Sequence, residues 1–361
     1  MRVRELNYRT IWPGEHGDAV EVIDQTRLPH RFEVVRLKSL ADMVQAIKTM
    51  QVRGAPLIGA AAAYGLALAM REHAGDDQLR QAASTLLSSR PTAVNLRWAV
   101  QRMLHCLEPA LAAERADLAW RQAAAICDED VAINQAIAGH GLALLQALYE
   151  ERRRPLNILT HCNAGWLATV DWGTALAPVY AAFDAGIPVH VWVDETRPRN
   201  QGASLTAWEL GQHGVPHTVI TDNAGGHLMQ HGRVDVVIVG ADRVTRSGDV
   251  CNKIGTYLKA LAAHDNGVPF YAAVPSPSID WSMHDGLREI PIEERSADEV
   301  GRMTGKLPDG ALATVDILPE GSAAANPAFD VTPARLVTSI ITERGICAPG
   351  KLHTLLPERK S

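Results

Sequence analysis

The sequence has no C-x-x-C pair and no dense cysteine framework: its five cysteines, at 106, 127, 162, 251 and 347, are odd in number and scattered. A disulfide scaffold is therefore excluded, and the pattern fits a reducing, cytoplasmic setting. The N-terminus MRVRELNYRT carries no apolar core segment, so no secretory signal is expected. The longest apolar stretch, APLIGAAAAYGLALAM at 55–70, falls short of the ~20 residues that cross a bilayer. It reads as a buried helix, and no membrane partner is expected. Charge of one sign is lacking as well, since 35 Lys+Arg against 41 Asp+Glu leave −6, with no basic stripe or charged tail. Nucleic acid is thus not an expected partner, and a small polar molecule is. Neither G-x-G-x-x-G nor G-x-x-x-x-G-K-[ST] occurs, which leaves a nucleotide cofactor without support. HLMQH at 227–231 spaces two histidines like zinc ligands but lacks the glutamate of H-E-x-x-H. No metal is expected there, and the segment reads as a solvated helix face.

What the chain does have is apolar mass, 47% of 361 residues, enough for two domains and a large core. Residues 1–36 hold short β-like runs (VEVID, FEVVRL), and residues 39–149 are mostly Ala/Leu-rich helical pattern. The charged run EERRRP at 150–155 suggests a junction. An N-terminal domain of helices with a small β-sheet is expected over 1–149, and a second domain over 150–361. In the latter, the runs NILTHC, PVHVWVDE, PHTVITD, VDVVIVGAD and VPFYAAVPS alternate with helical segments. Apolar strands alternating with helices are the signature of βαβ units, so the fold class is α/β with a parallel, doubly wound, Rossmann-like sheet. Ligands of such sheets bind outside the carboxyl ends of the strands, near the point where the strand order reverses.

The strand ends are polar throughout. The first carries Cys162 in THCNAG, at the passage from strand to loop; alone, a cysteine there reads as a buried structural thiol. The fourth, VDVVIVGA, delivers Asp242 from the centre of the sheet. Burial raises a carboxyl pKa, and a carboxylic acid near neutrality suits general acid catalysis. Its neighbour Arg243 should point to the opposite face, because strand neighbours alternate. In SGDVCNKIG, a helix start near Ile254 together with Lys253 makes an anion site. QVRGAPLIG repeats the device in the N-terminal half, with Arg53 before a glycine that allows close backbone approach, amides of Gly54 and Ala55, and Pro56 in the first helical turn. SRPTAVNL places Arg90 before another helix opening.

RGAPLIGAAAAYG, SRPTAVNL, THCNAG, DETRPRNQGASLTAWEL, TDNAGG and GADRVTRSGDVCNKIGTY resemble, in order and spacing, the 5-methylthioribose-1-phosphate isomerases of methionine salvage, and NPAFDVTPARLVTSIITERG extends the likeness over nearly the whole chain. That family shares its fold with regulatory subunits of translation initiation factor 2B and with ribose-1,5-bisphosphate isomerases. The resemblance implies that Cys162 and Asp242 are catalytic, and that Arg53, Gly54, Ala55, Arg90, Gln201, Asn252 and Lys253 hold a sugar phosphate. It further implies a homodimer joined through the C-terminal domain, and no cofactor. Asn200 and Ser204 depart from the larger or more apolar residues expected in many relatives. Whether the hydrogen at C2 would move as a proton through the thiol or as a hydride is left open by the sequence.

Overall fold

The computed structural model describes residues 1–357. Its centre is a seven-stranded sheet of Leu156–Thr160, Val189–Asp194, His217–Ile220, Val236–Val239, Phe270–Ala273, Ser339–Thr342 and Gly345–Cys347. Counted in chain order these strands lie 7-6-5-4-1-2-3, and the first six run parallel. The last pairs antiparallel with the sixth. This is the doubly wound arrangement expected from the alternating pattern, extended by two strands. SIIT and GIC escaped the sequence reading because they are short and no helix separates them.

Alternate residues of the central strands enter different cores. Ile158, Val236 and Ile238 pack on one face with Trp166, Tyr180 and Ile137. Leu159, Val237 and Val239 pack on the other with Leu228, Ala260 and Phe270. A strand covered on both faces has no need of polar alternation, which is why VVIV at 236–239 is apolar without interruption.

The N-terminal part begins with a three-stranded antiparallel sheet, Ile11–Pro13, Val20–Ile23 and Val34–Leu37. Around it stand the helices Leu40–Lys48, Ala55–Glu72, Asp76–Ser89, Val94–Leu107 and Ala112–Arg152. Leu57 to Met70 are buried without exception, so the helix Ala55–Glu72 is enclosed on all sides. The 41-residue helix Ala112–Arg152 is about 60 Å long. It sends Ala119, Ala123 and Ile126 into the helical core and Ile137 and Leu145 into the core beneath the sheet. One rod therefore ties the two cores together. By length and composition it is apolar enough to cross a membrane, yet it packs along the helices Ala55–Glu72 and Ala177–Asp184. Arg153 caps it in the left-handed conformation, and Pro155 prevents its continuation.

A second sheet of four strands leaves the C-terminal edge of the main one, in the order Ile279–Asp280, Arg243–Thr245, Val250–Lys253, Phe329–Thr332. The segment read from sequence as a glycine-rich approach to a helix is thus a hairpin. Its pairing with FDVT makes VCNK a strand, and the helix begins only at Thr256.

Burial sets a pH dependence of stability. Within the long helix, the Asp130 carboxyl accepts hydrogen bonds from Val170 N (2.8 Å) and Asn134 Nδ2 (3.1 Å), while desolvation pushes its pKa up to about 7. A raised folded-state pKa means that the unfolded chain releases this proton first. Stability is therefore full below the unfolded value of ~3.9 and falls by up to ~1.4 kcal/mol per pH unit as pH rises toward 7. Asp130→Asn is expected to flatten the slope of urea-unfolding free energy between these pH values by about one proton. An unchanged slope would show that the carboxyl is ionised in the folded protein.

Candidate active site

Cys162 follows the first strand of the main sheet and Asp242 the fourth, and these strands are neighbours where the strand order reverses. Topology alone therefore brings the thiol and the acid to one crevice. Both line a single cavity with Arg53, Gly54, Ala55, Arg90, Gln201 and Lys253. Of the residues that the resemblance implies as catalytic or substrate-binding, Asn252 is the one that does not line it. It lies on the strand Val250–Lys253, where Cys251 and Lys253 face the cavity and the residue between them must face away. Its Nδ2 donates to Thr256 Oγ1 at 3.0 Å. Met50, Ile58, Ala93, Cys251, Ile290, Pro291 and Phe329 supply apolar walls. A wider cleft shares Met50, Arg53 and Gln201 with this cavity, so the site opens toward residues 25–30 and the hairpin strands Arg302–Lys306 and Leu312–Asp316.

Cys162 adopts φ 65°, the left-handed region that a side-chain-bearing residue avoids. The turn is held from several directions. Cys162 N donates to Thr196 Oγ1 at 2.8 Å, and Thr206 Oγ1 donates to Cys162 O at 2.7 Å. Its Sγ lies 3.4 Å from Gln201 Oε1, at the start of a π-helical turn Gly202–Thr206. The next residue, Asn163, is gripped by Arg53, whose Nη2 donates to the backbone oxygen at 2.7 Å and whose Nη1 donates to Oδ1. Glu209, fully buried, takes Asn163 Nδ2 (2.9 Å), Trp166 N (2.9 Å), Leu167 N (3.0 Å) and Tyr180 OH (2.9 Å). Sequence reasoning missed Glu209 because WEL reads as ordinary helix.

The glycine of RGAP is required for a reason other than the expected one. Gly54 has φ 93°, and a Cβ there would stand 2.4 Å from the backbone oxygen of Ala168. The close approach it permits is to the chain itself, while its own neighbour Ala55 begins an 18-residue helix whose first turn faces the cavity without a side-chain cap. The other helix start is already satisfied. Asp330 accepts from Gly255 N at 2.7 Å and Tyr257 N at 3.1 Å, which leaves Lys253 rather than the helix terminus to face an anion. Behind Cys162, His161 Nδ1 meets Asp194 Oδ2 and Nε2 meets Ile254 O, both at 2.8 Å, with Lys259 Nζ 3.3 Å from the same carboxylate oxygen.

Desolvation raises the pKa of Asp242, opposed by the positive charges of Lys253, Arg90 and Arg53. Arg243 lines the same cavity instead of taking the opposite face expected from strand alternation, and it is engaged there, donating to Thr92 O at 2.7 Å and lying 3.4 Å from Asp280. The thiol of Cys162 is raised by burial too, against Arg53 and Lys253. Lys253 is lowered by burial, and its Nζ lies 4.6 Å from the centroid of the Phe329 ring. The cavity thus holds an acid inclined to keep its proton and a thiol inclined to do the same, under an arc of cations.

Residues 51–349 match the initiation factor 2 subunit family. This chain belongs to that family. Within this family, it is 64% identical to a methylthioribose-1-phosphate isomerase of Rhodospirillum rubrum, covering 99% of this chain and 94% of that one. It is also 64% identical to one of Methylorubrum populi, over 100% and 99%. Among solved structures of the family, the 5-methylthioribose 1-phosphate isomerase of Pyrococcus horikoshii OT3 superposes with TM-score 0.81 at 39% identity, covering 99% of each chain. A protein from A. fulgidus described as translation initiation factor eIF-2B, subunit delta, superposes with TM-score 0.78 at 39% identity, over 98% and 99%.

The cations around Cys162 make its reactivity testable. Alkylation by iodoacetamide, followed residue by residue with mass spectrometry, is expected to be slow at neutral pH and to accelerate only above the ~8.5 of a free thiol. Lys253→Met should move that acceleration to still higher pH. An identical profile in the variant would remove Lys253 from the surroundings of the thiol.

Proposed function

We propose that this chain is an aldose-ketose isomerase that converts 5-methylthioribose 1-phosphate to 5-methylthioribulose 1-phosphate in methionine salvage. The observation that carries the reading is the pairing of Cys162 with Asp242 in one cation-rimmed cavity, in a chain 64% identical to proteins of that name. A phosphate ester at the anomeric carbon prevents a furanose from opening as ordinary aldoses do. Opening therefore needs a proton delivered to the ring oxygen as the bond from C1 breaks, followed by transfer of hydrogen from C2 to C1 and loss of the C2 hydroxyl proton as the ketone forms, so that no net proton is consumed. Asp242, whose pKa burial raises, is the donor. Cys162 acts at the C2 to C1 transfer. Arg53, Arg90 and Lys253, with the amides of Gly54 and Ala55 and the Gln201 side chain, hold the phosphate and hydroxyls. Asn252 supports this wall from behind, through Thr256.

A regulatory subunit of the same fold is the second reading, favoured by the likeness to the protein described as eIF-2B subunit delta. A binding subunit has no use for a buried acid and a buried thiol lining one cavity. Incubation of the pure protein with methylthioribose 1-phosphate, without added metal or nucleotide, separates the two, and appearance of the ketose is expected. The enzyme works in the cytoplasm as a homodimer on a small-molecule substrate, with the N-terminal domain over 1–149 and the catalytic domain over 150–361. Sedimentation at micromolar concentration tests the dimer.

Asp242→Asn keeps the shape but has no proton to give. It is expected to lower kcat by ~10² to 10⁴ with KM little changed, and wild-type kcat should decline on the alkaline side as the acid ionises. Near-normal turnover by the asparagine variant would shift the donor role to another carboxyl. Cys162→Ser should fold normally and lose at least ~10² in kcat. Turnover in D2O identifies the transfer. Proton transfer through the thiol carries solvent deuterium into C1, whereas a hydride shift leaves C1 unlabelled. The apolar walls and the raised thiol favour the unlabelled product.

A further inference from the structure

The cavity wall carries more positive charge than phosphate binding by Arg53, Arg90 and Lys253 requires, since Arg243 and Arg295 line it as well. Most of these cations are committed. Arg53 is tied to Asn163, Arg243 to Asp280 and Thr92 O, and Lys253 Nζ to Ala328 O at 2.9 Å. Arg295 is held from both sides, by Glu293 Oε1 at 2.9 Å and by Glu299 at 2.7 Å. Glu299 in turn accepts from Arg199 at 2.8 Å. Arg90 differs in that its Nη2 donates to Glu293 Oε2 at 2.9 Å, a contact across 203 positions of sequence. Glu293 therefore stands between two arginines, one oxygen on each.

A carboxylate and a phosphate offer a guanidinium the same thing, charged acceptor oxygens in a matching fork. Both draw on the same guanidinium charge, so engaging one weakens the hold on the other. Release of Arg90 does not strand Glu293, because Arg295 keeps its other oxygen. Both side chains keep some exposure, 12% for Arg90 and 22% for Glu293. The charge of Glu293 also reaches into the cavity, where it disfavours ionisation of Asp242. A phosphate dianion in the same space meets the same repulsion. We propose that Glu293 competes with the substrate's phosphate for Arg90, weakening the grip on phosphate and easing departure of the ketose product. The proposal rests on Arg90 being a phosphate ligand. A carboxylate that merely oriented Arg90 for phosphate would have the opposite effect, so the sign decides.

Inorganic phosphate, used as a competitive inhibitor of the full-length enzyme, is the probe. Glu293→Gln is expected to lower its Ki, and the KM of the sugar phosphate, by roughly three- to tenfold. Arg90→Ala should raise both. On the Arg90→Ala background the glutamine substitution should lower Ki by a clearly smaller factor than in the wild-type protein, because the part of its effect that runs through Arg90 is then gone; an equal factor on both backgrounds would overturn the competition. Glu293→Ala removes the same charge and serves the comparison if the glutamine variant loses its fold. An unchanged or raised Ki in Glu293→Gln, with Ki raised in Arg90→Ala, would overturn the competition and leave Arg90 a phosphate ligand. Unchanged Ki and KM in Arg90→Ala would overturn the reading of Arg90 and the proposal with it.

Discussion

The guanidinium of Arg53 is buried, and an unpaired charge in that position would be destabilising by several kcal/mol. The rest of the site depends on how it is compensated. Asn163 takes both Arg53 nitrogens on its side-chain and backbone oxygens, then passes its amide to Glu209, which also collects two backbone amides and a tyrosine hydroxyl. The charge of Arg53 at the opening of an N-terminal helix and the buried carboxyl of Glu209, whose pKa desolvation raises to about 7, are thereby joined through one neutral residue. That residue is the neighbour of Cys162. The left-handed turn at the cysteine persists because the network on its far side over-determines the loop. Gly165 belongs to the same constraint, since a Cβ there would stand 1.8 Å from Glu209 Oε2.

Two helix starts with nearby cations read alike in the sequence, and the fold treats them differently. The helix from Thr256 receives an internal carboxylate, Asp330, from the strand Phe329–Thr332. The helix from Ala55 opens on the cavity with its first amides uncapped. A carboxylate at a helix N-terminus satisfies the same donors and dipole as a substrate phosphate. Helix termini are therefore anion sites only where the tertiary structure has not already supplied the anion.

Much of this was legible beforehand because the central strands are buried on both faces. Continuous apolar runs ending in polar residues announced five strands and the edge at which Cys162 and Asp242 emerge, and the GAD of the fourth strand marked the carboxyl that lines the cavity. The short strands SIIT and GIC gave no such signal. Neither did the hairpin containing Asn252 and Lys253, since its strand character comes from pairing with residues some 80 positions away. Glu209, Glu293 and Arg295 were invisible for the same reason: a charged residue in a helix or loop reads as solvated until the fold shows what it faces. The thiol and the acid that line the crevice sit at the ends of periodic elements, whereas the residues that hold them in place sit where only long-range contacts give them meaning.

The cavity wall runs from Met50 to Phe329. On a ribosome, its first wall is made long before its last, and the strand Phe329–Thr332 that backs Lys253 and supplies Asp330 is among the final elements to emerge. The helical core and the early strands can collapse while synthesis continues, since their contacts are complete without it. Catalytic competence cannot, because closing the crevice waits on contacts of very high sequence separation. Activity thus arrives as a late event of biogenesis, after the last strands of both sheets have paired.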